Sequence, residues 1–428
     1  MKKIIALTLL VLMVGLMMSA DLSAASKRKA YKEKVITEEF DLKPGELIEL
    51  DIETGGDIII VGSDRDNVEV EIAISGRNME DVEHEFDRTR SGLKIRLHFD
   101  RKFRRGKVDT RIYLRVPSKH DIKFETMGGD VEIEKVEGKI SGKTMGGDIE
   151  FNHLKGEANV TTLGGDIRIS DSELDGKVKT LGGDVRINDV IGDLRGSTLG
   201  GDVTYDGVKR RKSSRKSKGS DDDDEVNIST LGGDLNLDYE GKEIKARTFG
   251  GDIDVKRAKK VKVSTMGGDV DIDEAPEGAD AHTMGGDITI ESAGKYAKAK
   301  TMGGDIEIHS IDGWVVATTM GGDVTVRMVG DPAKGKRDVR IKSMGGDVEV
   351  TLPAGLSIDF DVEIAFTKNY RKKCEIISDF PIQIEETKEW KRKWGQKRKY
   401  IYGTGEVDGG EHTIKIRTIN GNVRIKKD

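Results

Sequence analysis

The sequence predicts an all-β solenoid, in which short coils of chain stack on one another. A Gly-Gly-Asp triplet occurs thirteen times in the 428 residues, and from the second triplet onwards eight of the eleven spacings between successive aspartates equal 18. Each 18-residue unit also carries two stretches of alternating apolar and polar residues. A fixed short period is the signature of a solenoid. Period-two alternation is that of a β-strand with one buried face.

We number each coil from its triplet aspartate, which is position 0. Positions +1 and +3 are apolar in every coil of the array, as in Val131 and Ile133, and positions −8 and −6 are usually apolar or small, as in Val261 and Val263. The two alternations are out of phase, so the chain must bend inside the Thr-Met-Gly-Gly segment that joins them, where glycine permits unusual backbone angles. The triplet aspartates are Asp57, Asp130, Asp148, Asp166, Asp184, Asp202, Asp234, Asp252, Asp269, Asp287, Asp305, Asp323 and Asp347.

The array divides the chain into segments. We predict a signal peptide over residues 1–25, a β-rich N-terminal capping module over 26–125, a solenoid of about twelve coils over 126–350 and a β-rich C-terminal capping module over 351–428. Within the array, residues 209–225 read as a run of Lys and Arg followed by a run of Asp. Such a low-complexity insert is predicted to be disordered and dispensable.

The N-terminus has the three parts of a secretory signal. Lys2 and Lys3 precede an apolar run that ends at Met18, and the small residues 23–25 supply a cleavage site. The apolar run is too short for a comfortable membrane span, although an uncleaved anchor is the alternative interpretation. We therefore expect an extracytoplasmic protein, in the periplasm, at the cell surface or secreted, with no transmembrane segment after cleavage.

Composition fits a thin rod better than a globule. The chain has 53 glycines, only 5% aromatic residues and a formal net charge of −6. The abundant glycine indicates many tight turns, and a narrow aliphatic core needs few aromatic residues. The acidic balance argues against nucleic acid as a partner. Cys374 is the one cysteine, so the chain cannot form an intramolecular disulfide.

The aspartates at position 0 form a column in any stacked structure. We predict that they accept backbone N–H bonds at the glycine corner, as Asp does in turns, without requiring calcium. The alternative is a calcium ladder like that of a nonapeptide β-roll. Against this alternative, the repeat has one Asp per coil and lacks the Gly-x-Asp half of the β-roll motif.

Two further columns precede the aspartates. At position −4, eleven threonines and Ser343 are predicted to form a hydroxyl ladder at the corner, the alternative being an outward array that matches ice or a glycan. At position −3 we predict stacking in the core in preference to a metal-binding thioether row, because Leu and Phe alternate with Met. The −3 residues are Met127, Met145, Leu163, Leu181, Leu199, Leu231, Phe249, Met266, Met284, Met302, Met320 and Met344.

One short segment near the C-terminus combines cations with aromatic rings, and we name it the C-terminal basic patch. Residues 388–400 contain seven Lys or Arg, one acidic residue and two of the three tryptophans. Such a mixture suits an anionic envelope polymer or acidic glycan, and the alternative is a solvated hairpin whose Trp packs on the last coil. The predicted ligand residues are Lys388, Trp390, Lys391, Arg392, Lys393, Trp394, Lys397, Arg398, Lys399 and Tyr400.

Catalytic motifs are missing from the sequence. Residues 141–144 read Ser-Gly-Lys-Thr, but the preceding Gly138 is one residue too close for a phosphate-binding loop. There is no His-Glu-x-x-His and no Gly-x-Ser-x-Gly. We predict a protein that is not an enzyme and uses no cofactor. A polysaccharide-active β-helix is the alternative, because the many carboxylates can supply an acid/base pair.

The Thr-Met/Leu-Gly-Gly-Asp-Ile/Val repeat behind a signal peptide resembles the bacterial putative-adhesin β-strand-repeat family. The resemblance covers residues 40–428 and includes a weak last repeat at 418–423, Thr-Ile-Asn-Gly-Asn-Val. It implies a right-handed, extracytoplasmic β-solenoid. The family's biochemical role is unknown, and it brings no catalytic residues that can be carried over to this chain.

Overall fold

The computed structural model describes residues 33–100, 107–209, 225–370, 373–393 and 396–428. These residues form β-strands joined by short turns, with one-turn 3-10 helices at Met79–Asp81 and Lys368–Tyr370 and no α-helix in the described ranges. The predicted signal peptide, residues 1–25, and all but the two end residues of the predicted insert 209–225 lie outside the described residues. Both therefore stay predictions.

The first end of the stack combines parallel coils with antiparallel covering strands. β2 lies between β6 and the array in one sheet, and β3 lies between β7 and the array in the other. β5 then covers β6, β4 covers β7 and β1 covers β4, all antiparallel, so no long parallel edge is left open at this end. The strands are β1 (Glu33–Asp41), β2 (Leu47–Ile52), β3 (Asp57–Ser63), β4 (Asn67–Gly76), β5 (Val82–Arg88), β6 (Gly92–Phe99) and β7 (Val108–Pro117).

The array consists of two parallel sheets built coil by coil. Sheet A takes the strand that follows each triplet, and sheet B takes the strand that precedes it. The strands alternate between sheets B and A from β8 to β12, β13 contributes to both, and they alternate again from β14 in sheet A to β30 in sheet A. They are β8 (Asp121–Thr126), β9 (Val131–Glu134), β10 (Glu137–Thr144), β11 (Ile149–Asn152), β12 (Lys155–Thr162), β13 (Ile167–Lys179), β14 (Val185–Val190), β15 (Leu194–Ser197), β16 (Val203–Lys209), β17 (Glu225–Ser229), β18 (Leu235–Glu240), β19 (Glu243–Arg247), β20 (Ile253–Arg257), β21 (Lys260–Ser264), β22 (Val270–Ala275), β23 (Gly278–His282), β24 (Ile288–Ala293), β25 (Tyr296–Lys300), β26 (Ile306–Ile311), β27 (Trp314–Thr318), β28 (Val324–Met328), β29 (Val339–Lys342) and β30 (Val348–Leu352).

Neighbouring coils are in register, so each repeat position becomes a column. Ile149 pairs with Val131 on one side and with Ile167 on the other. Every +1 and +3 side chain of the array is buried, and with the −8 and −6 side chains of sheet B they form one continuous core. The predicted burial of positions +1 and +3 is therefore confirmed. Full burial of such an aliphatic side chain contributes about 1.5–3 kcal/mol.

The far end of the stack repeats the plan of the first. The last two strands of the chain, β36 and β37, stack directly on β29 and β30, while β31 and β32 lie outside them. β35 runs antiparallel to β31, and β33 and β34 pair with β35. The strands are β31 (Ile358–Phe366), β32 (Ile376–Ser378), β33 (Gln383–Glu386), β34 (Lys391–Lys393), β35 (Gln396–Val407), β36 (His412–Ile419) and β37 (Val423–Lys427).

The chain therefore enters and leaves the stack one coil from each end. The parallel ladders run without a break from residues 47–63 into the array and from the array into residues 412–427. The domain boundaries at 125/126 and 350/351 stay predictions, because no break in pairing marks them. The described chain is all-β and solenoid-like.

Candidate functional site

The aspartates at position 0 form a hydrogen-bonded ladder along the stack. The Oδ1 atom of each one accepts the backbone N–H of the next coil's position 0, at 2.7 to 3.0 Å from Asp57 to Asn422. The donor therefore belongs to the neighbouring coil, whereas an Asp turn would use a donor of its own coil. Among the described residues, no group of three or more His, Cys, Asp and Glu side chains is arranged to hold a metal ion.

The second carboxylate oxygen of the ladder is used differently along the rod. Near the first end, Arg168 and Arg186 bridge the aspartates of neighbouring coils. Partial burial alone would raise the pKa of Asp148, but the N–H of Asp166 and the Arg168 guanidinium hold that pKa below its ordinary value. From Asp234 to Asp323 no aspartate of the ladder has an ion-pair partner within the described part of the chain.

The hydroxyls at position −4 are buried, and each one both donates and accepts a hydrogen bond. Thr283 donates from Oγ1 to the carbonyl of Gly268 in the preceding coil, at 2.8 Å, and accepts the N–H of Gly286 at 3.3 Å. The same pair of bonds recurs along the array and ends with Ser343. The predicted hydroxyl ladder is confirmed, and the outward array of threonines is excluded because these side chains are buried.

The prediction that the −3 side chains stack in the core is wrong. Nine of the twelve are 40% to 62% exposed, and Leu163, Leu181 and Met344 are half-buried. The cause is the hydroxyl ladder, because a −4 side chain that points inward turns its neighbour outward. The exposed members are Met127, Met145, Leu199, Leu231, Phe249, Met266, Met284, Met302 and Met320. We name the −3 column the apolar ridge.

The C-terminal basic patch lies at the far end of the stack, where β34 and β35 form a hairpin. Lys391 lies opposite Arg398, and Arg392 lies opposite Lys397. The side chains of Lys388, Lys391, Arg392 and Lys397 are exposed, so four predicted cations are open to a ligand. Trp394 lies outside the described residues, and Lys393 is described only in its backbone pairing with Gln396.

Three predicted members of this patch serve packing. Trp390 is half-buried and meets the ring of Phe366 edge to face, with centroids 5.9 Å apart. Lys399 is buried, with its Nζ 5.6 Å from the centre of the Trp390 ring and 3.6 Å from a Glu386 oxygen. Tyr400 is also buried. Trp390 therefore packs onto the adjacent strands. Such packing was one part of the alternative interpretation, in which the patch is a solvated hairpin.

A second cationic surface lies on the outer side of sheet B. We name it the basic face. Its six exposed cations have no ion-pair partner among the described residues. A shallow depression of about 240 Å³ lies between Arg247 and Lys262, and Asp280 and His282 also line it. The six are Arg247, Lys262, Lys298, Lys300, Arg340 and Lys342.

Two aromatic rings stand among these cations. Tyr296 and Trp314 occupy position −9 of consecutive coils, pair across the parallel ladder and stack with ring centroids 5.3 Å apart. Lys298 Nζ lies 5.6 Å from the Tyr296 centroid and 5.4 Å from the Trp314 centroid. Gly278 continues the column, and the Tyr296 ring occupies the space that a side chain there would need.

The same coils carry the opposite charge on the outer side of sheet A. Asp254, Asp271 and Asp273 project there at positions +2 and +4. Partial burial, followed by repulsion from neighbouring carboxylates, raises the pKa of Asp254 above the ordinary value. Partial burial also raises the pKa of Asp271, with carboxylate repulsion adding to it and a hydrogen bond with Thr289 opposing it. These coils therefore present a basic side and an acidic side.

The C-terminal basic patch can be recognised in the sequence, whereas the basic face cannot be recognised in any one segment of it. The patch is contiguous in the chain, whereas the six cations of the basic face are spread over 96 residue positions, 247 to 342. They meet only because an 18-residue period superimposes them. The signal that would find them is the repeat itself, since Lys262, Lys298 and Arg340 all stand at position −7.

The fold and these surfaces define a class of protein: a stack of parallel β-coils with a uniform interior and differentiated outer faces. The chain belongs to the Toastrack DUF4097 family, which it matches over residues 47–240 and 217–426. The family expectation drawn from the repeat is confirmed to that extent. No curated protein matches the chain.

Three solved structures are similar to the chain. A "putative cell adhesion protein" from Clostridium sporogenes is 9% identical, with 92% of this chain and 100% of that one covered and a TM-score of 0.19. A "putative adhesin" from Parabacteroides merdae is 12% identical, with 74% and 96% covered and a TM-score of 0.26. A "putative lipid binding protein" from Parabacteroides distasonis is 11% identical, with the same coverage and TM-score. Similarities at this level carry no argument about function.

In the described ranges, no helix has the length and apolar character needed to cross a membrane.

Proposed function

We propose that the protein is a non-enzymatic binding scaffold of the cell envelope, an adhesin-like right-handed β-solenoid of about twelve 18-residue coils that holds anionic surface polymers or acidic glycans. In this proposal the N-terminal signal carries the chain out of the cytoplasm. The Gly-Gly-Asp coil is the structural unit, and the outer side of sheet B is the binding surface.

The observation that carries the proposal is the set of unpaired cations on the basic face. Lys262, Lys298 and Arg340 stand in one column, and none of the three makes an ion pair among the described residues. Asp280 lies between Lys262 and Lys298 in the same column, so cations outnumber carboxylates there by three to one. Cations that outnumber the neighbouring carboxylates create a local positive field that attracts an anionic chain, even on a protein with a net negative charge.

The aromatic pair adds a reason to favour sugars. Tyr296 and Trp314 bring apolar ring surface to a face whose other outward residues are mainly charged or polar. Lys298 lies against both rings, so one polymer segment can meet a cation and an aromatic edge together. Columns repeat at about 4.8 Å along the stack, which suits an extended polymer that crosses several coils.

The C-terminal basic patch is the competing site within the same function. Lys388, Lys391, Arg392 and Lys397 are exposed there, but Trp390 and Lys399 are engaged in packing. The patch thus offers charge with less aromatic surface than the sequence indicated. We rank it second to the basic face.

A polysaccharide-active enzyme is the second candidate function, and one observation favours it. Asp254 and Asp271 are adjacent carboxylates whose pKa values are raised, as expected for a general acid. If this candidate is right, the purified chain cleaves an acidic polysaccharide and Asp271→Asn abolishes the cleavage.

Two variants that remove equal charge distinguish the binding sites. The first replaces Lys262, Lys298 and Arg340 with Gln, and the second replaces Lys388, Lys391 and Arg392 with Gln. Binding to immobilised polygalacturonate and lipoteichoic acid is measured at low and at physiological salt, with neutral dextran as the control polymer. We expect the first variant to lose about tenfold or more in affinity and the second to lose little.

Equal binding by the parent and both variants would overturn the proposal. Loss in the second variant alone would move the site to the C-terminal basic patch. Binding of dextran as tight as that of the anionic polymers would remove the role of charge.

A further inference from the structure

The apolar ridge is the least expected surface of the molecule. All twelve array coils carry Met, Leu or Phe at position −3, although nine of these side chains are 40% or more exposed. The hydroxyl ladder and the core are complete without them, because Thr at −4 and the apolar residues at +1 and +3 supply both. An exposed turn position with no packing role would tolerate polar residues, so the uniform apolar character indicates a contact.

The size of the ridge supports the same conclusion. Twelve side chains at a spacing of about 4.8 Å form a strip roughly 50 Å long and one side chain wide. Such a strip covers about 500 Å², which is in the upper range of the largest apolar patch on a typical soluble monomer. Scattered exposed residues need no explanation, whereas a continuous row of this size is comparable to the apolar patches that are often functional on soluble proteins.

Opposite charges border the ridge on its two sides. On the sheet A side lies the aspartate ladder, which is exposed and has no ion-pair partner from Asp234 to Asp323 within the described residues. On the sheet B side lies position −5, whose charged members in the array beyond the first coil are exposed cations. These are Lys143, Lys179, Arg247, Lys300 and Lys342. An anionic lipid surface would be repelled by the aspartate row. A polar ligand would leave at least one of the two charged rows without a partner.

A second copy of the chain satisfies both borders at once. If two stacks meet ridge to ridge with their axes parallel, related by a two-fold axis along the stack, the aspartate row of each copy faces the cation row of the other. If the axes are antiparallel, like charges face each other. Apolar side chains then form the centre of the contact and complementary charges its rim, which is the usual anatomy of an interface.

We infer that the apolar ridge is the contact of a parallel two-fold dimer of this chain. The ridge alone is smaller than the roughly 800 Å² per partner of a standard interface, and the two flanking rows widen the contact towards that size. The flanking row shares Arg247, Lys300 and Lys342 with the basic face, whereas Lys262, Lys298 and Arg340 of position −7, which carry the proposed function, lie beyond it. Dimerisation is measured without polymer, so its failure and the failure of the proposed function can be told apart.

The first test measures the oligomeric state of the purified full chain by sedimentation equilibrium without any polymer present. The ridge variant replaces Met266, Met284, Met302 and Met320 with Gln. The matched control replaces Val35, Ile191, Ile377 and Ile384 with Gln, since these four apolar residues are 40% to 54% exposed but lie off the ridge. Circular dichroism and thermal unfolding check that all three proteins are folded alike.

We expect the parent and the control to dimerise with the same dissociation constant and the ridge variant to dimerise about tenfold or more weakly. A parent that stays monomeric at the highest soluble concentration overturns the inference. So does a ridge variant that dimerises as well as the parent. Recruitment of monomers to vesicles of neutral phospholipid, lost in the ridge variant, would assign the ridge to a lipid surface instead.

The second test reads the direction of the two stacks. Met145→Cys lies near one end of the ridge, so a short thiol-specific cross-linker joins two copies only if the stacks are parallel. Cys374 is buried and is replaced by Ala to remove background. Efficient linkage of Met145→Cys supports the parallel dimer, and linkage absent in a sample that sedimentation shows to be dimeric overturns it.

Discussion

The inner and outer sides of each glycine corner follow different rules. On the inner side, the hydroxyl at −4, the glycine at −1 and the apolar residue at +1 repeat with almost no variation, because each one contacts the coil before it. On the outer sides of the two sheets, the residue type changes from coil to coil, and charges collect by face. The repeat therefore encodes the fold, and departures from it create the charged outer faces of the two sheets.

The two adjacent glycines of a corner give the sharpest contrast between these sides. A Cβ on Gly165 would lie 2.2 Å from the carbonyl oxygen of Gly147, whereas a Cβ on Gly164 would lie 3.6 Å from its nearest neighbour, the oxygen of Gly146. We expect Gly165→Ala to lower the free energy of unfolding by about 3 kcal/mol, because backbone must shift to relieve the clash. Gly164→Ala should change it by less than about 0.5 kcal/mol.

Urea unfolding of the two variants measures this difference. Equal stability of the two alanine variants would show that the corner has more room than the contacts indicate.

Removing one hydroxyl of the hydroxyl ladder should cause the next largest loss of stability. Thr283→Val keeps the shape of the side chain but leaves the Gly268 carbonyl and the Gly286 N–H without their partner. Since buried unpaired backbone groups cost about 1–3 kcal/mol, we expect a loss of that size. Thr325→Val, on the exposed outer side of sheet A, is the control and should change stability little. Thermal unfolding in which both variants match the parent would contradict the ladder's role.

Partial burial and repulsion of a carboxylate on the acidic side lower stability slightly, so removing its charge should raise stability. The pKa of Asp271 is raised in the folded state, so its ionised form costs stability above that pKa, and the cost disappears as the pH falls below the ordinary carboxyl range. Asp271→Asn should therefore stabilise the protein at neutral pH by about 0.5 kcal/mol or less, given its exposure to solvent. Melting curves from pH 7 downwards should show this gain vanishing; a gain that grows on acidification has the wrong sign.

Removal of divalent ions should have no effect at all. The Oδ1 atoms of the aspartate ladder already accept backbone N–H groups, and one carboxylate per coil leaves few ligands for calcium. We expect the melting temperature and β-sheet circular dichroism to be the same with and without a chelator. Unfolding on chelation, restored by added calcium, would favour a metal-stabilised β-roll.

The sequence predicted those features that repeat with period two inside a coil. Val131, Ile133 and their equivalents are buried because alternation and coil spacing agree. The apolar ridge was predicted wrongly, since hydrophobicity alone cannot tell which side of a bend a residue takes. The position of the bend depends on the bond from Thr283 to Gly268, which is a contact between coils.

The strand order at the ends of the stack and the basic face cannot be predicted from any single segment of the sequence. The chain's last coil pairs Ile414 with Val339 in the array, 75 residues earlier, with β31 stacked beyond it, and no local pattern encodes that order. Tyr296 and Trp314 stack because of the period, so comparing equivalent positions of successive coils would have revealed them. The C-terminal basic patch could be predicted because it is contiguous.

Polymer binding at the basic face is tested most directly by mapping which lysines a bound polymer protects. Amines of the purified protein are acetylated with and without polygalacturonate, and the modified positions are read by mass spectrometry. We expect protection of Lys262 and Lys298 on the basic face, with Lys256 on the acidic side labelled equally in both samples. Protection confined to Lys391 and Lys397, or protection spread evenly over both sides of the stack, would contradict it.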